Sequence, residues 1–216
     1  DFGDLSPIVI AVDGMLVKEP FTYKPMALSP GNRLDVIIDT SKTEQKTIQV
    51  TDTFARQTNE LGSIVIEGES EAPKMVEFPQ NVQVPTWNTE LAEVLPDYTY
   101  NLALTRMGMM NASWTINGKV FGKDQPVIFD KDKVTIVRFQ NDSGNLHPMH
   151  LHGQFFQVIR RNGEPANEHY FRDTVLLSAQ ETVDVAMMPR DKGQWALHCH
   201  IQEHAEAGMM TSIIVE

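Results

Sequence analysis

Apolar and β-branched residues alternate with polar ones in short runs along this chain, at positions 8–12, 33–39, 47–52, 63–66, 98–105, 134–140, 155–160, 182–187 and 211–215. A period of two puts successive side chains on opposite faces of a strand, so the pattern predicts an all-β fold, a sandwich or a barrel. Turn pairs punctuate the runs, among them Asp13-Gly14, Pro30-Gly31, Asn117-Gly118 and Asn162-Gly163. Their glycines reach the positive φ that tight turns need. Helical periodicity is confined to a weak stretch at 88–94 and a short turn after His200, which disfavours a parallel α/β sheet.

Between residues 67 and 96 the alternation lapses. Glu67, Glu69 and Glu71 are followed by Pro73, Pro79, Pro85 and Pro96, the composition of an exposed connector with a solvated acidic face. Three parts follow. Residues 1–66 are too short for a full sandwich of about 100 residues and read as part of a domain, 67–96 as the linker, and 97–216 as one complete sandwich.

Composition narrows the function. Eighteen Lys and Arg against 29 Asp and Glu leave a net charge of −11, so the surface repels phosphate backbones and anionic lipid, and neither nucleic acid nor a membrane is an expected partner. No stretch approaches the roughly 20 apolar residues of a membrane span, and residues 1–10 lack the pattern of a signal peptide, so a soluble chain is expected. The single cysteine, Cys199, excludes an intrachain disulfide and any multi-thiolate metal site. Metal chemistry, if present, rests on histidine.

Six of the seven histidines fall in two clusters, His147-Pro148-Met149-His150-Leu151-His152 and His198-Cys199-His200 with His204 following. Imidazoles spaced two apart on a strand share a face, so His150 and His152 point together, as do His198 and His200, while Cys199 points the opposite way. The Cys199 side is completed by His147, of opposite parity to His150, by His204 and by Met209 in the loop beyond. Two imidazoles, a thiolate and a distant thioether suit blue copper, because the soft ligands stabilise Cu(I) while the imidazoles hold Cu(II). The other side, with His150, His152, His198 and His200, has more imidazoles than a simple electron-transfer centre needs and implies a second copper site. His169 reads as a loop or packing residue, and Met107, Met109 and Met110 as plastic packing. No HExxH pattern supports zinc hydrolysis.

The two clusters resemble the motifs of the three-domain multicopper oxidases, the group that includes laccases and cuprous oxidases. His147-Pro148-Met149-His150-Leu151-His152-Gly153 is similar to the family's HPxHxHG, and His198-Cys199-His200 through His204 and Gly208-Met209 to its HCHxxxHxxxGM. Upstream, Val12-Asp13-Gly14 and Ser29-Pro30-Gly31-Asn32-Arg33-Leu34-Asp35-Val36 resemble the later strands of the middle domain. The resemblance implies a Greek-key cupredoxin-like sandwich or barrel for 97–216 and the end of a second such domain for 1–66.

It further implies that His147, Cys199, His204 and Met209 hold type 1 copper, with Met209 axial, that His150 holds type 2 copper, and that His152, His198 and His200 hold the binuclear type 3 pair. A complete enzyme of this kind has about four copper ions. The implied activity takes single electrons from a phenolic or similar small-molecule donor, passes them through Cys199 to His198 and His200, and reduces dioxygen to water. An axial thioether implies a type 1 potential toward the lower range of the family.

Two departures qualify the match. The family draws its remaining trinuclear ligands from two His-x-His motifs in an amino-terminal domain, and none precedes His147 here. The expected partner is therefore an amino-terminal fragment or chain carrying them. Ala205 also stands where many bacterial relatives have a glutamate thought to relay protons, which leaves proton delivery to Glu206, the candidate acid of this chain, to Asp residues of the missing piece or to water. A periplasmic or secreted location is implied by the family alone. The rival readings are a cuprous oxidase in copper tolerance, a blue-copper electron carrier using only the Cys199 set, and a copper-storage protein without turnover.

Overall fold

A computed structural model describes residues 1–216 except 25–26, 42, 55, 69–77, 80 and 108–110, with the backbone alone at 106, 107 and 111. The first part contains β1 (Ile8–Val12), β2 (Met15–Thr22), β3 (Leu34–Ile37), β4 (Thr47–Asp52) and β5 (Asn59–Val65), followed by a one-turn helix α1 (Trp87–Glu90). After it come β6 (Tyr98–Met107), β7 (Asn111–Ile116), β8 (Val127–Phe129), β9 (Thr135–Asn141), β10 (His147–Leu151), β11 (Phe156–Arg161), β12 (Glu164–Pro165), β13 (Phe171–Arg172), β14 (Thr174–Leu177), β15 (Thr182–Met187) and β16 (Gly193–Cys199). Helix α2 (Gln202–Glu206) and strand β17 (Met210–Val215) close the chain. The fold is all-β, as the alternation predicts.

Each predicted run coincides with or overlaps a strand. Strand β2 was not among them, because Lys18, Glu19 and Pro20 interrupt its alternation. It holds as the edge of an antiparallel sheet ordered β2-β1-β3, where a proline's missing N–H costs no ladder bond. Val9, Val12 and Val17 form the small core under this sheet. Strands β4 and β5 pair only with each other among the described residues, leaving Leu61 68% and Val65 58% exposed. A lone hairpin is marginal in water without a surface to pack on.

The second part is a sandwich. One sheet runs β14-β10-β16-β17-β8, the other β12-β11-β15-β9-β6-β7 with β13 on β11. Alternate residues of both sheets, including Leu102, Phe139, Val158 and Val185 from one and Met149, Val175, Leu197 and Ile213 from the other, fill one buried core. Burial of such side chains supplies the main drive for closing the sheets.

Helix α1 sits inside the stretch read as an exposed connector, and that reading does not hold at this end. Trp87 is buried beside Ile136, Ile159 and Ala186 and meets Phe171 edge-on, with ring centroids 5.6 Å apart. Arg160 donates to the carbonyls of Leu91, Ala92 and Val94 at 2.6–2.8 Å, satisfying groups that a helix end leaves open. Its Nε pairs with buried Asp184 at 2.6 Å, and Arg138 reaches the same carboxylate at 2.7 Å. Glu69, Glu71, Met109 and Met110 lie outside the described residues, and of Met107 only the backbone is described. Among the described residues no helix is long and apolar enough to cross a membrane.

Candidate metal centres

Strands β10 and β16 place both histidine clusters. They pair antiparallel with Met149 opposite Cys199, His150 opposite His198 and Leu151 opposite Leu197. Met149, Leu151, Leu197 and Cys199 belong to the sandwich core. His150 and His198, one residue out of phase, therefore project from the other face. The parity read from the sequence holds in both strands. His152 and His200 lie just beyond the strand ends, yet the turns keep them near their partners, with ring centroids 4.8 Å apart for His150 and His152 and 5.7 Å for His198 and His200.

On the core side, the Cys199 thiol lies 3.7 Å from His147 Nδ1 and 3.6 Å from His204 Nδ1, and the two nitrogens are 3.2 Å apart. All three residues are buried, and their ligand atoms lie within 4.8 Å of one another. His204 is delivered by α2. Beyond it, the backbone is stapled back on itself, with Met209 N donating to the His204 carbonyl at 2.9 Å and Cys199 N to the Met209 carbonyl at 3.1 Å. The turn needs Gly208, whose φ is +119° and whose missing Cβ would stand 2.8 Å from the Trp114 carbonyl and 2.6 Å from Val120 Cγ1. Met209 itself is wholly buried in the same core.

Hydrogen bonds assign the free nitrogen of His147. Asn141 gives its amide protons to the carbonyls of Asn145 and Ser178, so its Oδ1 accepts from the Ser143 hydroxyl at 2.8 Å. Ser143 Oγ, its proton thus committed, accepts from His147 Nε2 at 2.8 Å. The lone pair of His147 is left on Nδ1, facing the thiol. Trp114 closes this side, its ring centroid 4.2 Å from that of His204 and 4.9 Å from that of His147.

Burial sets the electrostatics. It pushes the Cys199 thiol up to about 12, against a smaller downward pull from the Ile201 backbone. It pushes His147 down to about 4, with His204 adding to the shift, and lowers His204 against a smaller opposing effect of Glu203. Left to itself the set is neutral and carries a proton on sulfur. Bound copper would reverse this by giving a thiolate its counter-charge. The donor set fits.

On the outer side, His150, His152 and His198 present ligand atoms within 4.8 Å of one another. His198 Nδ1 donates to the Cys199 carbonyl at 2.8 Å, leaving a lone pair on Nε2, which faces His152 Nε2 at 3.0 Å. Two nitrogens this close need a proton or a cation between them. Burial lowers the pKa of both His152 and His198, and neighbouring histidines lower them further. His200 is exposed at the edge of this group, its ring 5.6 Å from that of His150.

His150 Nδ1 meets Thr174 Oγ1 at 2.9 Å and the Asp173 carbonyl and carboxylate at 3.2 Å each. Burial alone would raise the Asp173 carboxyl, but hydrogen bonds from His150, Arg33 and Thr174 outweigh it and hold it well below the usual carboxylate range.

Glu206, the candidate acid, is exposed and accepts from Gln202 Nε2 at 2.8 Å within α2. His169 is a loop anchor, between Asn88 Nδ2 at 3.0 Å and Asn167 Oδ1 at 2.9 Å. Trp114, Ser143 and Asp173 were not singled out from the sequence. Each touches a histidine through pairings that no local spacing announces.

Comparison with known proteins agrees with this geometry. The family model described as multicopper oxidase matches residues 94–216. The chain is 32% identical over 119 residues to multicopper oxidase MmcO of Mycobacterium tuberculosis, covering 55% of this chain and 23% of that one. It is 28% identical over 204 residues to a laccase of Haloferax volcanii, covering 88% of this chain and 35% of the laccase. The crystal structure of McoA multicopper oxidase from Aquifex aeolicus superposes with a TM-score of 0.81 at 26% identity, covering 100% of this chain and 51% of McoA. The chain thus spans about half or less of the length of each of these relatives.

Proposed function

Because this chain belongs to the multicopper oxidase family, we propose that it is the carboxy-terminal piece of a laccase-like oxidase. It takes single electrons from phenolic or similar donors and reduces dioxygen to water, four electrons and four protons for each dioxygen. The observation that carries the reading is the register of β10 and β16, which puts Cys199 among two buried imidazoles and its chain neighbour His198 among the imidazoles of the opposite face.

Copper supplies the one-electron redox chemistry when bound. His147 Nδ1, the Cys199 thiolate, His204 Nδ1 and the Met209 thioether would hold it on the core side, and His150, His152, His198 and His200 would hold it on the outer face. Within the chain, Cys199 joins the two sets through its own peptide bonds to His198 and His200, the shortest covalent path between them. The hydrophobic sandwich keeps water from the thiol, and Ser143 keeps the His147 lone pair aimed at it. The outer histidines are left partly open to solvent. We assign their completion to an amino-terminal fragment or chain with two His-x-His motifs, in a periplasmic or secreted oxidase.

Elemental analysis and intact mass spectrometry of one active preparation test this. About four copper ions and a companion bearing two His-x-His motifs are expected. A single 24.4 kDa chain with about one copper would reduce the protein to an electron carrier. A fully loaded complex that consumes no dioxygen with a phenolic donor would leave the copper-storage reading.

A further inference from the structure

The turns Asp13-Gly14 and Pro30 to Arg33 play no part in the copper reading, yet they lie against its outer face. Arg33 Nη2 donates to Asp173 Oδ2 at 2.8 Å, and Nη1 reaches Oδ1 at 3.3 Å. Oδ1 also accepts from Thr174 Oγ1 at 2.7 Å and stands 3.2 Å from His150 Nδ1. Asp13 is buried and holds the far side, its carboxylate accepting from the backbone N–H groups of Arg33, Asp173 and Thr174 at 2.9–3.2 Å. Asn32 Nδ2 adds a bond to the Thr174 carbonyl at 2.9 Å. Gly31, at φ +90°, lies under His200. A Cβ there would stand 2.7 Å from the ring carbon Cδ2 and 3.2 Å from Thr174 Cγ2.

An Arg–Asp pair between two parts of a chain, here with Asp173 buried and Arg33 half exposed, is ordinarily a staple. Here the same carboxylate oxygen also faces an imidazole, and that imidazole has one chemically allowed arrangement. The Asp173 carbonyl can only accept, and the Thr174 hydroxyl has given its proton to Asp173, so Nδ1 of His150 must carry the proton and Nε2 keeps its lone pair.

We infer that Arg33 and Gly31, from the first part of the chain, are positioning residues for the outer histidine face. Arg33 orients Asp173, which fixes the ring and tautomer of His150, and the bare Gly31 backbone sets where His200 lies. This deepens the copper reading of that face. Partners of this kind, one step behind the ligands, commonly change metal affinity by 10–100-fold. The two-toothed Arg33–Asp173 contact also explains why arginine stands here, since a lysine would keep the charge and lose the fork.

The test uses the full chain as Arg33→Leu and Arg33→Lys, with Gly31→Ala as a separate probe of His200. In metal-free protein, ¹⁵N-resolved imidazole spectra report the His150 tautomer. With added Cu(II), thiolate-to-copper absorption reports the Cys199 set, and the spin-resonance signal of ordinary imidazole-bound Cu(II) reports the outer face. Expected for Arg33→Leu is a mixed His150 tautomer and outer-face binding weakened about tenfold or more, with the thiolate absorption unchanged. Arg33→Lys should fall between. Gly31→Ala should shift the His200 resonances and leave those of His147 in place.

An unchanged His150 tautomer in Arg33→Leu overturns the inference, as does equal weakening of both copper sets together with a fall in thermal midpoint, which would make Arg33 a staple only. If neither the unmodified chain nor its complex with the companion binds Cu(II) at the outer face, the copper reading fails, and the imidazole spectra still decide the positioning claim.

Discussion

Ser143 sits four residues before His147, and its hydroxyl stands between Asn141 Oδ1 and His147 Nε2, 2.8 Å from each. Removing it leaves a buried imidazole N–H without an acceptor, a loss of about 1–3 kcal/mol. It also frees the ring to place its proton on the nitrogen that faces Cys199. Ser143→Ala should therefore lower the unfolding free energy measured in urea by that amount and weaken Cu(II) binding at the Cys199 set roughly tenfold, read by titrating the thiolate absorption. Unchanged stability and an unchanged titration would remove Ser143 from the site. The ligand types at His147 and Cys199 could be read from their neighbours in sequence. The tautomer could not, because it depends on where the Asn141 amide finds the Ser178 carbonyl.

Strands β9, β11 and β15 meet at Asp184, which accepts from Arg138 and Arg160, and Arg160 continues to the carbonyls that follow α1. Burial alone would raise the Asp184 carboxyl, but the two arginines outweigh it and hold it below the usual range. Its stabilisation is thus fully present above the ordinary carboxylate value of about 4 and fades as pH falls through that value toward the lower one of the folded state. Asp184→Asn strands a buried guanidinium and should cost about 3 kcal/mol near pH 7. The difference from the unmodified protein should shrink as pH falls below about 4 and through the lower folded-state value. Urea unfolding across that range checks it, and a difference that stays constant would count against the linkage. The alternation of 134–140, 155–160 and 182–187 announced all three of these strands. It gave no hint that Arg160 would tether the 91–94 segment, since that bond spans nearly seventy positions.

Across the whole molecule, the first part holds two small sheets, and the hairpin β4–β5 leaves Leu61 and Val65 in solvent. That surface and the outer histidine face are what the proposed companion would cover. A companion binding the folded chain must raise its thermal midpoint in proportion to the logarithm of companion concentration. A midpoint that does not move would argue against a bound companion, whatever the copper content. The net charge of −11 makes the approach of any charged companion dependent on ionic strength, with added salt speeding an acidic one and slowing a basic one.

What the sequence determined by itself is the chemistry of the two sites and their opposition. Parity along a strand is a local property, so His198 and Cys199 must part to opposite faces wherever the strand goes. Only the tertiary structure decided which groups stand behind those ligands. Asp173 reaches Arg33 across 140 positions and Thr174 reaches Asp13 across 161, and such bonds exist because one part of the chain packs on another. A hydrogen bond needs two groups within about 3 Å. Strand periodicity places a side chain on a face, but the distance to a partner so far along the chain is set by packing alone.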